Sequence, residues 1–530
     1  MAALELVVLL GTVIVVGGVL SRRLGIAPPV LLLLLGVLLG FVPALREVHL
    51  PPELMLLVFL PALLYWEALT ASLREIRANL RGIVLVSTLL VALTAWAVAA
   101  VAHAFGMPWG PAWVLGAALA PTDATAVATL SRLLPRRPMG VLRAEGLVND
   151  GTALVIYGVA VGVTVGEEAL TGGRVTWLLV VSYGGGVLAG LAVAWLGLQL
   201  RRRLDDVYLG NTVTMLTPFA AFLLAELVEA SGVLAVVVTG LVMGQAGPRV
   251  VGAAVRRVAE PFWSLGTYLL NAALFVLVGI EVQSAVRGAT GSAVGGAVVL
   301  AFAVWGTILV VRCAFLFGSV YAIRLLDRRP SQRLRRVSDR SRIVSTVAGF
   351  RGAVSLAAAL AVPTTVASGA QFPDRGRIVF VTAVVVTLTL AVQGLVLPAV
   401  VRWARFAQDD GAAQERRLAE RESTRSALDA LPGIAAGVGV DDDVVETVRA
   451  QYVERLALLD APDADEDAEP DSRRRQRTET ALRLALLAHK RATVIALRDE
   501  RRIDDAVLRQ VQARLDIEEL RLSREDLTLD

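Results

Sequence analysis

From its first residues to about Arg402 this chain is a run of apolar blocks, each about 20 residues long, parted by short polar joints. Wound as helices at 1.5 Å per residue, such blocks span the roughly 30 Å hydrocarbon core of a bilayer. The composition agrees: 55% of residues are hydrophobic and 19% charged. A soluble domain is roughly 45–50% apolar and about a quarter charged. After Arg402 the sequence turns polar. The reading is an all-α polytopic membrane protein, with a transmembrane domain over 1–403 and a cytoplasmic helical domain over 404–530.

Thirteen spans are expected, at 4–20, 28–45, 52–70, 82–104, 111–131, 143–165, 175–199, 209–229, 231–246, 261–281, 292–323, 342–363 and 377–401. Arginine and lysine gather in cytoplasmic loops, so loop charge tests that count. Arg22 and Arg23 follow the first span, Arg74, Arg77 and Arg81 the third, and Arg132, Arg136, Arg137 and Arg143 the fifth. Arg201, Arg202 and Arg203 follow the seventh span, and Arg249, Arg256 and Arg257 the ninth. The loop from Arg324 to Arg342 holds eight arginines. The alternate loops carry Arg46, Arg174, Arg287, Arg375 and Arg377 in total. The alternation puts the N-terminus outside the cell membrane and the tail in the cytoplasm.

Met1–Leu20 has no basic leader or small-residue cleavage site and reads as a retained helix. The lone Cys313 excludes an internal disulfide, and His49, His103 and His489 are too scattered for a metal centre. The tail carries a net −8 and the membrane part +12. Helical periodicity recurs over 412–430, 442–459, 476–498 and 503–521, with an acidic linker at Asp460–Asp471. The tail is read as a dimerisation domain or as a regulatory one with a ligand or protein partner. No nucleic-acid partner is expected.

A charge near the bilayer centre costs at least about 2.5–3.5 kcal/mol. Asp123, Glu145, Asp150, Arg312 and Arg351 lie deep within spans, while Glu67 and Glu226 are expected at the lipid–water interface. In "ALAPTDATAVATL", Pro121 lacks an N–H and disfavours helix at Ala120, so the fifth span should break beside Thr122 and Asp123. A simple proline kink accounts for the proline but not for the aspartate. The twelfth span has a matching irregularity, with Gly349 and Gly352 around Arg351; those glycines would also suit close helix packing. If spans 1–6 and 8–13 are repeats, these two correspond, seven spans apart, and the halves are inverted. Paired broken helices in an inverted repeat point to the midplane ion site of a transporter.

On the sixth span, in "EGLVNDGTA", Glu145 and Asn149 share a face, as do Gly146 and Asp150. Glu145 and Asp150 are about 140° apart around the axis and roughly 7.5 Å along it, so they take different partners. Glu145 is expected to pair with an arginine and Asp150 to face an aqueous cavity near Asp123. Desolvation and a neighbouring acid both favour the protonated form of a carboxylate. Such an acid can trade a proton for a cation.

These stretches resemble the monovalent cation/proton antiporter family, in the branch of NhaP-type bacterial sodium/proton antiporters and animal sodium/proton exchangers. The resemblance rests on "PTDATAVA" (121–128), "EGLVNDGTA" (145–153), "ALFVLVGIEV" (273–282), "VVRCAFLF" (310–317), "GFRGAVSLAAAL" (349–360) and "LPALLYWEALTASLREIRANLR" (60–81), and covers residues 1 to about 405. It implies that Asp150 is the ion- and proton-binding carboxylate, with Asp123 and Thr122 completing the Na+ site on the unwound fifth helix. It implies that Asn149, standing where electrogenic relatives have a second aspartate, makes exchange electroneutral. It further implies a structural Glu145–Arg312 pair, a structural or pH-response role for Arg351, and a homodimer in membrane lipid. Na+ and H+ are cargo, and no cofactor is implied. Gly146 and Ala124 depart from the family, which commonly has serine and proline there; both bear on the choice among Na+, K+ and Li+.

Other classes fit less well. An intramembrane aspartyl protease also needs two aspartates on neighbouring spans, but its Gly-x-Gly-Asp signature is missing. A transporter-derived sensor would need a signalling motif in the tail, and none is recognisable. The expectation is a transporter, not an enzyme: a sodium/proton antiporter, with K+/H+ exchange on the same fold as the alternative.

Overall fold

The structure of the protein is a computed structural model that describes residues 2–24, 27–42, 55–73, 76–77, 86–123, 136–166, 172–204, 206–287, 291–326, 338–406, 411–460, 471–500, 507, 511–512 and 514–519. The loop arginines Arg46, Arg74, Arg81, Arg132, Arg328, Arg329, Arg333, Arg335 and Arg336, the position Ala124, and the linker interior 461–470 lie outside the described residues. So do residues 43–45, 52–54, 82–85 and 124–131 of the expected spans, and most of the last tail segment.

Among the described residues the regular elements are all helices, with one isolated β-bridge between Thr365 and Gln371. Helices satisfy their own backbone groups, which hydrocarbon requires. The chain forms two compact units, residues 1–408 and 409–530. Among the described residues, eight helices are long and apolar enough to cross a membrane, and three shorter apolar helices accompany them. Large apolar side chains such as Leu188, Leu216, Val310 and Leu395 stand exposed on their outer faces, as a lipid environment allows.

The first unit begins with α1 (Ala2–Leu24), α2 (Pro28–Leu39) and α3 (Leu60–Thr70), the last entered through a π turn at Met55–Phe59. A second π turn, Val86–Leu90, leads into α4 (Val91–Ala104), followed by α5 (Trp109–Leu119) and α6 (Arg136–Val165). Then come α7 (Gly172–Arg202), α8 (Val207–Leu227), α9 (Gly232–Val250), α10 (Ala253–Arg287) and α11 (Gly291–Leu326). Two short helices follow, α12 (Asp339–Val347) and α13 (Ala353–Leu360). Last are α14 (Arg375–Leu388), a π turn at Thr389–Gln393, and α15 (Gly394–Ala404). Capping fixes several starts: Asp206, Ser231 and Ser338 accept hydrogen bonds from the first free N–H groups of α8, α9 and α12.

Packing sorts these helices into two bundles. In one, α2 lies against α10, α7 against α8 and α9, and α3 against α9. In the other, α5 packs on α4 and α6, and α11 and α13 on α14. The first is drawn tight by glycine. A Cβ at Gly36 would stand 2.2 Å from the Val276 carbonyl oxygen, and one at Gly279 2.3 Å from that of Leu33. With lipid no less apolar than leucine, such backbone contact is what holds membrane helices together. The bundles meet chiefly where α10 lies along α13 and α14, with a lighter seam between α6 and both α3 and α9.

The second unit contains α16 (Gly411–Val438), α17 (Asp442–Asp460) and α18 (Asp471–Asp499). α16 and α17 pair as a hairpin, with Arg421 and Arg425 near Asp460 and Arg455 near Glu420. Leu487 of α18 packs on Leu515, and Arg491 reaches Asp516 and Glu519 at 2.6 Å each.

Candidate functional site

The site begins where two helices stop inside the bundle. α5 ends at Leu119, two residues before Pro121, and residues 120–123 are not helical. Between α12 and α13 the chain unwinds over Ala348–Gly352. The two breaks face each other. The Asp123 N–H donates to the Phe350 carbonyl at 2.9 Å, and the Ala353 N–H donates to Asp123 Oδ2 at 3.1 Å. Arg351 Nε donates to the Leu119 carbonyl at 2.7 Å and Nη1 to that of Gly349 at 3.0 Å. Each break thus supplies partners for backbone groups freed by the other, the condition under which unwound chain survives in a membrane.

The crossing is too close for a side chain at one point. A Cβ on Gly352 would stand 1.7 Å from Asp123 Oδ2. From the far side, Thr389 in the last π turn accepts the Arg351 N–H at 3.3 Å. Sequence reasoning passed over Thr389, whose signal is a hydroxyl in the apolar run "VVVTLTLAV". π turns of this kind are common at functional positions.

Helix α6 brings the remaining groups. Glu145 pairs with Arg312 of α11 at 2.6 Å, and Arg312 Nε donates to the Ser345 carbonyl of α12 at 3.0 Å. Arg312 is 1% exposed, so its charge is met by protein rather than water. One helical turn on, Asn149 donates to Thr122 Oγ1 at 3.0 Å and, more distantly, to Glu145 Oε1 at 3.5 Å. The amide thereby couples the broken fifth segment to the ion pair. Asp150 points elsewhere. It is 3% exposed, and its Oδ1 has no hydrogen-bond partner among the described residues. Two carboxylates, Glu67 of α3 and Asp123, act on it electrostatically.

Asp123, Thr122, Asn149, Glu145 and Arg312 therefore form one bonded network with α12, α13 and Arg351 around the breaks, and Asp150 stands next to it. Glu67 is half-buried on α3 and close enough for its charge to act on Asp150. Its spacing held the clue, since it lies three residues after Leu64 and seven after Leu60, both on the buried face of α3. Glu226 is exposed at the end of α8.

A buried carboxylate with an open oxygen, a hydroxyl and further acids is an oxygen-rich setting suited to a small hard cation or a proton. Among the described residues there is no cluster of three histidine, cysteine or acidic side chains arranged to hold a metal ion.

The family described as sodium/hydrogen exchanger, transmembrane, matches residues 10–403. An uncharacterised Na+/H+ exchanger of Mycobacterium tuberculosis is 47% identical over 521 residues, covering 98% of this chain and 96% of that one. A sodium, potassium, lithium and rubidium/H+ antiporter of Bacillus pumilus is 28% identical, covering 74% of this chain and 60% of that one. Among solved structures, the sodium proton antiporter MjNhaP1 of Methanocaldococcus jannaschii aligns with a TM-score of 0.60 at 19% identity, over 76% of this chain and 99% of that one. That likeness shows the fold. The matched family is one of multi-pass membrane transporters, and the chain belongs to it: this is a member of the sodium/hydrogen exchanger family.

Proposed function

We propose that the protein exchanges cytoplasmic Na+ for external H+ across the cell membrane, one for one, with both ions competing for Asp150. The observation that carries this reading is the buried Asp150 carboxylate, whose Oδ1 has no partner among the described residues while Thr122 and Asp123 are fixed nearby. Cation and proton cannot both occupy it, so only a loaded site crosses. Asp123 engages the α13 N-terminus, and together with the Thr122 hydroxyl it completes the Na+ site. Asn149 is neutral and committed to Thr122, which supports electroneutral exchange: α6 then brings Asp150 as the one cargo-bearing acid. Glu145 and Arg312 act as a structural ion pair, and Arg351 braces the crossing.

The same reading takes in thirteen spans arranged as two inverted six-helix repeats around the breaks. It has an external N-terminus, a homodimer, and a regulatory or dimerising cytoplasmic domain from residue 404. K+ is the second cargo to test. The Bacillus relative is named for potassium as well as sodium, and Gly146 offers no side-chain oxygen beside Asp150.

In proteoliposomes with an imposed pH gradient, wild-type protein is expected to move protons on addition of Na+. Asp150→Asn should abolish that signal while eluting as a folded protein. Exchange by Asp150→Asn at the wild-type rate would remove Asp150 from the mechanism, and parallel Na+, K+ and Li+ additions assign the cargo. An imposed membrane potential should leave the rate unchanged if exchange is electroneutral.

A further inference from the structure

We propose that Glu281 and Arg375 form a clasp that closes the arginine-poor end of the seam between the two bundles and breaks when the ion site opens to that side. The inference rests on the antiporter reading above, because it concerns how access to Asp150 alternates.

Arg375 is the first residue of α14 and is tied to the second bundle by two side-chain hydrogen bonds. Its Nε donates to the Val362 carbonyl at 3.0 Å and its Nη2 to that of Leu360 at 3.5 Å. Both carbonyls lie at the C-terminal end of α13, where a helix leaves acceptors unsatisfied and favours a cation. The connection from α13 to α14 is tied to the same bundle elsewhere. The Ala367 N–H donates to the Val165 carbonyl at the end of α6, and Arg377 Nη2 to the Phe105 carbonyl after α4. Arg375 Nη1 does something different: it reaches Glu281 Oε1 at 2.9 Å, on α10 of the first bundle.

The consequence follows from α13 itself. This helix has eight residues, about 12 Å at 1.5 Å per residue. Its N-terminus holds Asp123 and its C-terminus holds Arg375. The half-helix that presents the ion site is thus anchored at its far end to a side chain that is itself paired across the seam. Glu145–Arg312, by contrast, lies within the second bundle and can travel with it. Sliding of the second bundle past α10 by even a few ångströms carries Arg375 beyond reach of Glu281. The pair is 21% and 29% exposed, so solvent can take over both charges when it opens. A clasp of this kind is a state-selective contact rather than a permanent brace. Arg256 and Arg257 mark the other end of α10, which places the clasp on the side that loop charge assigns to the cell exterior.

The test uses full-length protein in proteoliposomes of determined orientation, with Na+ titrated separately from each face. Glu281→Gln keeps the side-chain volume and leaves the Arg375 bonds to α13 intact. It should tighten the apparent Na+ affinity at the exterior face about two- to fivefold and weaken it at the cytoplasmic face, as expected when a half-exposed contact stops biasing two states. Glu281→Arg should shift both in the same directions and further, while Glu281→Asp restores values near wild type. A merely structural pair would lower yield or melting temperature and move both faces alike. Equal or unchanged affinities at the two faces in a folded Glu281→Gln protein would overturn the clasp while leaving exchange at Asp150 standing. Absence of any exchange by the wild type would remove the antiporter reading and the clasp with it.

Discussion

Glu145 and Arg312 show how a membrane protein accommodates charges that neither lipid nor water stabilises. Each is nearly inaccessible, and they meet at 2.6 Å. Removing one partner strands the other in a medium of low dielectric, at a cost of about 3–5 kcal/mol. Arg312→Ala is therefore expected to lower the melting temperature of detergent-solubilised protein by several degrees, whereas Asp150→Asn should leave it close to wild type. A thermal-shift series across both variants measures the contrast. A drop for Asp150→Asn equal to that for Arg312→Ala would mean that Asp150 too is a structural partner. Residue chemistry of this sort was partly legible in the sequence. That five charged groups lay deep in spans followed from hydropathy, and the α6 spacing separated Glu145 from Asp150. The partner of Glu145 was implied by family resemblance, since 167 residues separate it from Arg312.

At the scale of elements, the informative feature is the contact between two helix breaks. α5 stops where Pro121 predicts, and the glycines around Arg351 mark the second break. Their mutual bonding explains why glycine stands at 352: the carboxylate of Asp123 occupies the space a Cβ would need. Gly352→Ala must displace either Asp123 or the first turn of α13, so exchange should fall at least about tenfold, the effect expected when a bound group shifts by an ångström. Among the described residues nothing stands within 4 Å of a Cβ at Gly151, so Gly151→Ala on α6 should insert and melt normally and serves as the control. Comparing proton flux in the two variants at equal protein content decides the point. The breaks were visible in the sequence because proline and glycine act locally. The hydroxyl of Thr389 beneath Arg351 was not, because the π turn that presents it lies 38 residues away.

At the scale of the whole molecule, two bundles share a lightly packed seam beside Asp150, where the proposed function has one site serve two ions. Competition gives a signed pH dependence. Where Asp150 is largely protonated, each unit of acidification should raise the Na+ concentration needed for half-maximal exchange about tenfold, and that dependence should flatten at alkaline pH. Initial rates over a pH series at fixed gradient test it; a half-saturating Na+ concentration independent of pH throughout would argue for separate proton and cation sites.

The sequence by itself determined that the chain crosses a membrane, that helices break at Pro121 and around Arg351, and that Glu145, Asp150, Arg312 and Arg351 are buried. Those properties arise within a segment: a helix in hydrocarbon satisfies its own backbone, and proline, glycine or a lone carboxylate perturbs it locally. The tertiary structure alone decided that Thr389 supports Arg351 and that Glu281 reaches Arg375 across 94 residues. Such pairings depend on which faces of distant helices meet. In lipid that choice is made by close packing of small residues, as at Gly36 and Gly279, and hydropathy carries no record of it.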